Sequence, residues 1–152
     1  SKATSSHIKG VRHVSNVTLK NSVQATQRQV AIYNPYSVSN CVLDGGIFIA
    51  STENGGNISG NSITYTDGGP TNTGVAIDIP AGADDWVVTG NHIDLSSCVN
   101  NQACIRTAGD NGVITGNRLK SLIAGQTNAL VVTGTGNLYE TATNADPLNK
   151  TT

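Results

Sequence analysis

The sequence predicts an all-β solenoid of about five to six short coils. Three observations carry this: a six-residue phrase recurs five times, the material between copies varies in length, and no helical period runs through any segment. The copies are VSNVTL at 14 to 19, VSNCVL at 38 to 43, ISGNSI at 58 to 63, VTGNHI at 88 to 93 and ITGNRL at 114 to 119. Their starts are separated by 24, 20, 30 and 26 residues, so the phrase is constant and its connections are not. VTGTGNL, 132 to 138, reads as a degraded sixth copy.

Within each copy the two aliphatic ends lie five positions apart, an odd interval that places them on opposite faces of a flat strand. Both face one interior only if the chain turns between them. The pairs Gly60-Asn61, Gly90-Asn91 and Gly116-Asn117 supply that turn, because Gly and Asn tolerate the left-handed conformation that other residues resist. Each copy therefore reads as strand, corner, strand. A second short strand precedes each corner: VAIY at 30 to 33, GIFIA at 46 to 50, GVAIDI at 74 to 79, ACIR at 103 to 106 and NALVV at 128 to 132. Three strands per 20 to 30 residues cannot bury an inner face alone and must stack on neighbouring coils.

The Asn-bearing corner and the three-strand coil resemble right-handed parallel β-helices of the pectate-lyase-like superfamily, most of all those of bacteriophage tail spikes and tail fibres. The likeness covers residues 10 to 138 and concerns architecture. Right-handedness comes from the resemblance and agrees with the general preference of parallel crossovers. Residues 1 to 138 are assigned to the β-helix and residues 139 to 152 to a polar tail or linker without a period.

Stacking predicts columns. Val14, Val38, Ile58, Val88 and Ile114 form one inward column, and Leu19, Leu43, Ile63, Ile93 and Leu119 another, with a hydroxyl row of Ser15, Ser39, Ser59, Thr89 and Thr115 beside the corner. At about 4.8 Å per rung the stack is only about 25 to 30 Å long, and its open edges call for additional protein at the ends or for side-by-side trimerisation.

Composition narrows the chemistry. Ten acids against nine bases give a formal charge of -1, which provides no basic field for nucleic acid. No run of about 18 apolar residues suggests a membrane span. Cys41, Cys98 and Cys104 match no zinc spacing, so no metal or other cofactor is expected. Cys41 reads as a small buried hydrophobe, while Cys98 and Cys104 are either bridged or separate thiols.

Any chemistry must sit on outward columns. One reads Lys20, Asp44, Thr64, Asp94, Lys120, and a second sets Asp78 beside Arg106 with Tyr33 and Ala50 on earlier coils. Opposite charges on adjacent strands stabilise a ladder by roughly 0.2 to 1 kcal/mol, which explains both columns without a ligand. As catalytic candidates, Asp44 and Asp94 lie two rungs apart, about 9.6 Å, close to the roughly 6.5 to 9.5 Å that suits inverting glycoside hydrolysis. As ligand contacts, Asp78, Arg106, His92 and Trp86 are the candidates. His92 falls in an outward column with Ser62 and Arg118. The indole of Trp86 suits a sugar ring, and Asp84 or Asp85 beside it suits sugar hydroxyls; its parity with Val88 instead directs the indole inward.

The resemblance carries over no catalytic residue. Related lyases use a calcium-binding carboxylate cluster with an arginine base, and related polygalacturonases use Asn-Thr-Asp, Asp-Asp, Gly-His-Gly and Arg-Ile-Lys motifs. Here only Asp84-Asp85 matches any of these. The resemblance implies a trimeric module of a virion tail, part of a longer chain and acting outside the cell, that binds host-surface polysaccharide through a hydroxyl-rich and amide-rich flank. A polysaccharide hydrolase or lyase and a purely structural spacer are the competing expectations.

Overall fold

The computed structural model describes residues 6–20, 30–50, 52–64, 74–96, 101–120 and 129–139. Cys98 and the tail beyond Tyr139 lie outside the described residues.

The first coil is β1 (Ser6–Lys9), β2 (His13–Ser15) and β3 (Thr18–Leu19); the second is β4 (Val30–Tyr33), β5 (Ser37–Ser39) and β6 (Val42–Asp44). The third is β7 (Gly46–Phe48), β8 (Asn57–Ser59) and β9 (Ser62–Thr64), and the fourth is β10 (Gly74–Ile79), β11 (Val87–Thr89) and β12 (His92–Asp94). β13 (Asn101–Thr107), β14 (Val113–Thr115) and β15 (Arg118–Lys120) make the fifth, and β16 (Leu130–Val132) with β17 (Leu138–Tyr139) begins a sixth. Equivalent strands pair in parallel into two six-stranded sheets and one five-stranded sheet. The result is a right-handed parallel β-helix of about five to six coils.

The strands of the second and third sheets are short because each contributes one inward side chain before the chain must turn. Val14, Val38, Ile58, Val88 and Ile114 pair rung to rung in the second sheet, and all five are buried. Leu19, Leu43, Ile63, Ile93 and Leu119 do the same in the third sheet, with Leu19, on the first coil, partly buried. In the first sheet, Ile32, Ile47, Ile77, Ile105 and Leu130 form the remaining wall. Removing such a side chain from the interior costs about 2 to 5 kcal/mol, so the repeated aliphatics are the main source of stability.

The corner divides its work between its two residues. Only the first takes a left-handed backbone: Gly60, Gly90 and Gly116 have φ near +64°, and Asn16 and Asn40 hold the same place in earlier coils with φ 55° and 53°. The second turns inward, so Asn61 and Asn91 are buried at 1% exposure. Left-handed tolerance, expected of both residues of the pair, is used by the first alone, and the asparagine side chain instead takes a hydrogen-bonding role.

Two expected registers are corrected. Tyr33 pairs with Phe48, and Phe48 with Asp78, so Phe48 holds the place expected for Ala50. The variable turn between this strand and the next corner hid the shift of two residues. In the sixth coil, Val132 pairs with Thr107, and Leu138 rather than Val132 enters the second sheet, beside Val113. VTGTGNL is therefore the end of one strand plus a turn. Its Gly136, with φ 68°, corresponds to Asn111, with φ 57°, and not to a corner glycine.

Candidate functional site: the outward face of the third sheet

β3, β6, β9, β12 and β15 each place one aliphatic inward, so the residues on either side of it point out. Two outward columns result. Thr18, Val42, Ser62, His92 and Arg118 are in register along one, and Asp44, Thr64, Asp94 and Lys120 along the other. His92, Val42, Thr18 and Arg118 are exposed and Ser62 is half-buried. Backbone N–H groups of Val42, Ser62, His92 and Arg118 donate to carbonyls of the preceding coil, which fixes the rungs.

Three of the sequence-derived candidates, Asp44, Asp94 and His92, come together here. Asp44 and Asp94 both pair with Thr64, which confirms their separation of two rungs. Their surroundings differ. Lys120 Nζ stands 3.1 Å from Asp94 Oδ2, and the Ser96 backbone N–H donates to Asp94 Oδ1 at 2.9 Å. Partial desolvation pushes the Asp94 carboxyl up, but the Ser96 hydrogen bonds and the Lys120 ammonium outweigh it and hold the group below the ordinary aspartate range. Asp94 is thus kept ionised, which suits accepting hydrogen bonds and not donating a proton. Asp44 Oδ1 is buried and has no hydrogen-bond partner. The expected Lys20–Asp44 ion pair does not form: among the described residues the ion pairs are Arg12–Glu53, Arg106–Asp78 and Lys120–Asp94. β3 ends at Leu19, so Lys20 leaves the ladder before it can stand over Asp44.

Asp78 and Arg106 lie on a different face, in the first sheet, and do pair rung to rung. Arg106 Nε donates to Asp78 Oδ1 at 2.8 Å and a terminal nitrogen to Oδ2 at 2.7 Å, a bidentate bridge. Asp78 is buried at 2% exposure, which corrects the expectation of a surface pair. Its hydrogen bonds raise the Arg106 guanidinium further, against partial desolvation, so both groups are committed to each other. Below them in the same column Phe48 stacks on Tyr33, with ring centres 5.5 Å apart and planes 11° apart, and Lys9 Nζ lies 5.5 Å from the Tyr33 ring centre. This stack depends on Phe48 occupying the place that spacing assigns to Ala50, so no signal for it is legible in the sequence.

Trp86 is buried at 2% exposure and its Nε1–H donates to the Glu53 carbonyl at 2.8 Å. The ring lies over Gly56, where any Cβ would overlap it. The inward parity with Val88 holds, and the indole offers no face to a sugar. Asp84 is likewise engaged: its Oδ1 accepts the Asp110 backbone N–H at 2.8 Å, while the neighbouring Asp85 takes φ 60° in the turn. Cys41 is buried, and Cys104 is buried with its Sγ 3.5 Å from the Lys120 carbonyl.

A second polar cluster was not anticipated. His13 Nδ1 and Ser37 Oγ are 2.8 Å apart on adjacent rungs, the Tyr36 ring packs edge-on against His13, and Arg12 lies over the Tyr36 ring at 4.9 Å. Arg12 also approaches Glu53 at 3.8 Å. These groups satisfy one another, in contrast to the side chains of Thr18, Ser62, His92 and Arg118, which make no hydrogen bond or ion pair among the described residues.

Among the described residues no group of three or more His, Cys, Asp or Glu side chains converges as a metal site, and no helix is long and apolar enough to cross a membrane. The third sheet therefore presents two outward columns: one in which Asp94 is engaged by Lys120 and Ser96, and one in which the polar side chains of Thr18, Ser62, His92 and Arg118 are arrayed at rung spacing and left unengaged. Comparison with known proteins finds no family model, no curated protein and no solved structure that matches the chain.

Proposed function

We propose that this chain is a phage tail-spike or tail-fibre β-helix module that binds host cell-surface polysaccharide along the outward face of its third sheet. One observation carries the reading: Ser62, His92 and Arg118 stand on consecutive rungs without intramolecular partners. A sugar ring spans about one rung spacing, so a linear glycan laid along the coil axis meets one new side chain per residue. Hydroxyl, imidazole and guanidinium groups match the donors and acceptors of sugar hydroxyls. A rigid ladder also reduces the ordering cost of binding. Trimerisation, further domains in a longer chain and a place in the virion tail belong to the same proposal.

The depolymerase alternative rests on the two-rung spacing of Asp44 and Asp94. It requires one carboxyl to hand a proton to the leaving group, and the surroundings of Asp94 oppose that role.

The test is binding of the chain to host cells and to immobilised surface glycans, with the triple variant Ser62→Ala, His92→Ala, Arg118→Ala beside a control at Asn57 and Thr89 on the second sheet. The reading expects the triple variant to lose binding at least tenfold and the control to keep it. Equal binding by both variants overturns it. Release of reducing ends, lost in Asp44→Asn or Asp94→Asn, would establish the enzyme instead.

A further inference from the structure

Four large apolar side chains are exposed among the described residues: Val11, Val42, Leu138 and Tyr139. Three have an architectural reason. Val11 lines an open groove of about 480 Å³ at the first coil with Ile8, Val14 and Val17, and Leu138 and Tyr139 form the last described strand. Val42 lies on the second coil, on the second of the five rungs of its column, flanked by a paired strand on each side, at 52% exposure. It belongs to the same column as Ser62 and His92, one rung before Ser62, with exposed Thr18 on the other side.

We infer that this face selects a glycan carrying a methyl group, either the C6 methyl of a 6-deoxyhexose or the methyl of an N-acetyl or O-acetyl substituent, seated on Val42. The inference rests on the glycan-binding reading and deepens it. A glycan lying along the column that places successive rings over Arg118, His92 and Ser62 brings its next ring over Val42. There the column offers no polar group of its own, so a hydroxyl presented to Val42 loses water without gaining a protein partner. A methyl in that place removes apolar surface from water on both molecules. The Thr18 side chain, on the preceding rung, extends the apolar contact with its own methyl. The column thus has a direction, with its one apolar side chain, Val42, on the second rung and its cation, Arg118, on the fifth, and reads the glycan in one orientation.

The experiment compares affinities of the wild-type chain for matched glycans by calorimetry or biolayer interferometry: a 6-deoxyhexose polymer against its 6-hydroxy counterpart, and an acetylated polymer against its deacetylated form. The expected result is about fourfold tighter binding of at least one methyl-bearing member, since one buried methyl is worth about that factor. Val42→Ser abolishes that preference while keeping affinity for the hydroxy or deacetylated partner, and Val42→Ile retains it. Val42 is exposed, so neither substitution disturbs the core, and unchanged denaturation midpoints verify this. The pair that shows the preference identifies the source of the methyl. Glycan binding with no preference in either pair, or a preference that survives Val42→Ser, overturns this inference alone. Absence of binding to any of the polymers overturns the glycan-binding reading with it.

Discussion

The Asn61 carboxamide donates to Asn91 Oδ1 at 2.9 Å across adjacent coils, and the Asn91 carboxamide repeats the contact to Asn117 Oδ1 at 2.9 Å. Each Oδ1 also accepts a backbone N–H from the previous coil: Cys41 to Asn61 at 2.9 Å, Asn61 to Asn91 at 3.0 Å and Asn91 to Asn117 at 3.0 Å. Each carboxamide further donates to a carbonyl of the coil before it, Val38, Ile58 and Val88 in turn. Asn61 and Asn91 are buried, and their backbone N–H groups find their acceptors in this ladder. Replacing Asn91 by Ala leaves buried donors and acceptors in two coils, each costing about 1 to 3 kcal/mol. Urea denaturation of Asn91→Ala should show a loss of at least about 3 kcal/mol. Asn16→Ala, whose side chain is exposed, should lose about 1 to 2 kcal/mol, through its left-handed backbone alone.

The residue before that asparagine answers to backbone conformation. Gly90 has φ 64° and room for a Cβ, the nearest atom being the Gly60 nitrogen at 3.9 Å. Its tolerance to substitution is therefore conformational. Since Asn16 and Asn40 already occupy the equivalent place, Gly90→Asn should cost under about 1 kcal/mol, and Gly90→Val about 2 kcal/mol or more. Thermal or urea midpoints of the two variants measure the difference.

Gly56 is limited by space. A Cβ there would overlap the Trp86 ring and the Tyr36 carbonyl, and the carbonyl cannot move aside cheaply. Gly56→Ala should cost about 3 kcal/mol through overpacking, and the buried indole should report it as a red shift of Trp86 fluorescence in the native state. An unshifted spectrum with unchanged stability would mean that the indole does not lie over Gly56.

The Asp78–Arg106 bridge stabilises the first sheet. Arg106→Ala takes the bidentate partner from a buried carboxylate and should cost about 3 kcal/mol, the low end of the range for a broken buried pair, because the guanidinium is partly exposed. Arg106→Lys keeps the charge but not the fork, and should recover only part of the loss.

Asp94 supplies a pH signature. Its carboxyl is depressed in the folded chain, so its contribution to stability is complete above the unfolded value of about 3.9 and disappears as pH falls through the lower folded value. Asp94→Asn should flatten the acid limb of the stability curve below about pH 4 by a few tenths of a kcal/mol, the size expected of an exposed pair. Lys120→Met should do so only in part, because the Ser96 hydrogen bonds to Asp94 remain. Neither variant should alter stability differences between about pH 6 and pH 8.

The repeat was legible in the sequence because stacking repeats a chemical environment, and the same environment selects the same residue type. Val88 and Ile114 announce their shared column in this way, as do Ile93 and Leu119. The outward column of Ser62, His92 and Arg118 followed from the same alignment by parity. What escaped lies where the period breaks. Phe48, and with it the Tyr33–Phe48 stack, was misplaced because the turn leading from the first sheet to the next corner has no fixed length. Burial of Asp78 was invisible because an acid at an outward position gives no sign of what covers it. The inward asparagine ladder was hidden because glycine and asparagine share a tolerance for the left-handed region, and only φ separates the residue that uses it from the one that does not.

The rung-by-rung register of the corner phrase underlies both the core and the outward face, and methyl NOEs test it most directly. With Ile, Leu and Val methyls labelled, Val88 should show contacts to Ile58 and to Ile114, and Ile93 contacts to Ile63 and to Leu119. Absence of the Val88–Ile114 and Ile93–Leu119 cross-peaks in a spectrum that resolves these methyls would contradict the stack, and with it the alignment of Val42, Ser62, His92 and Arg118 on one face.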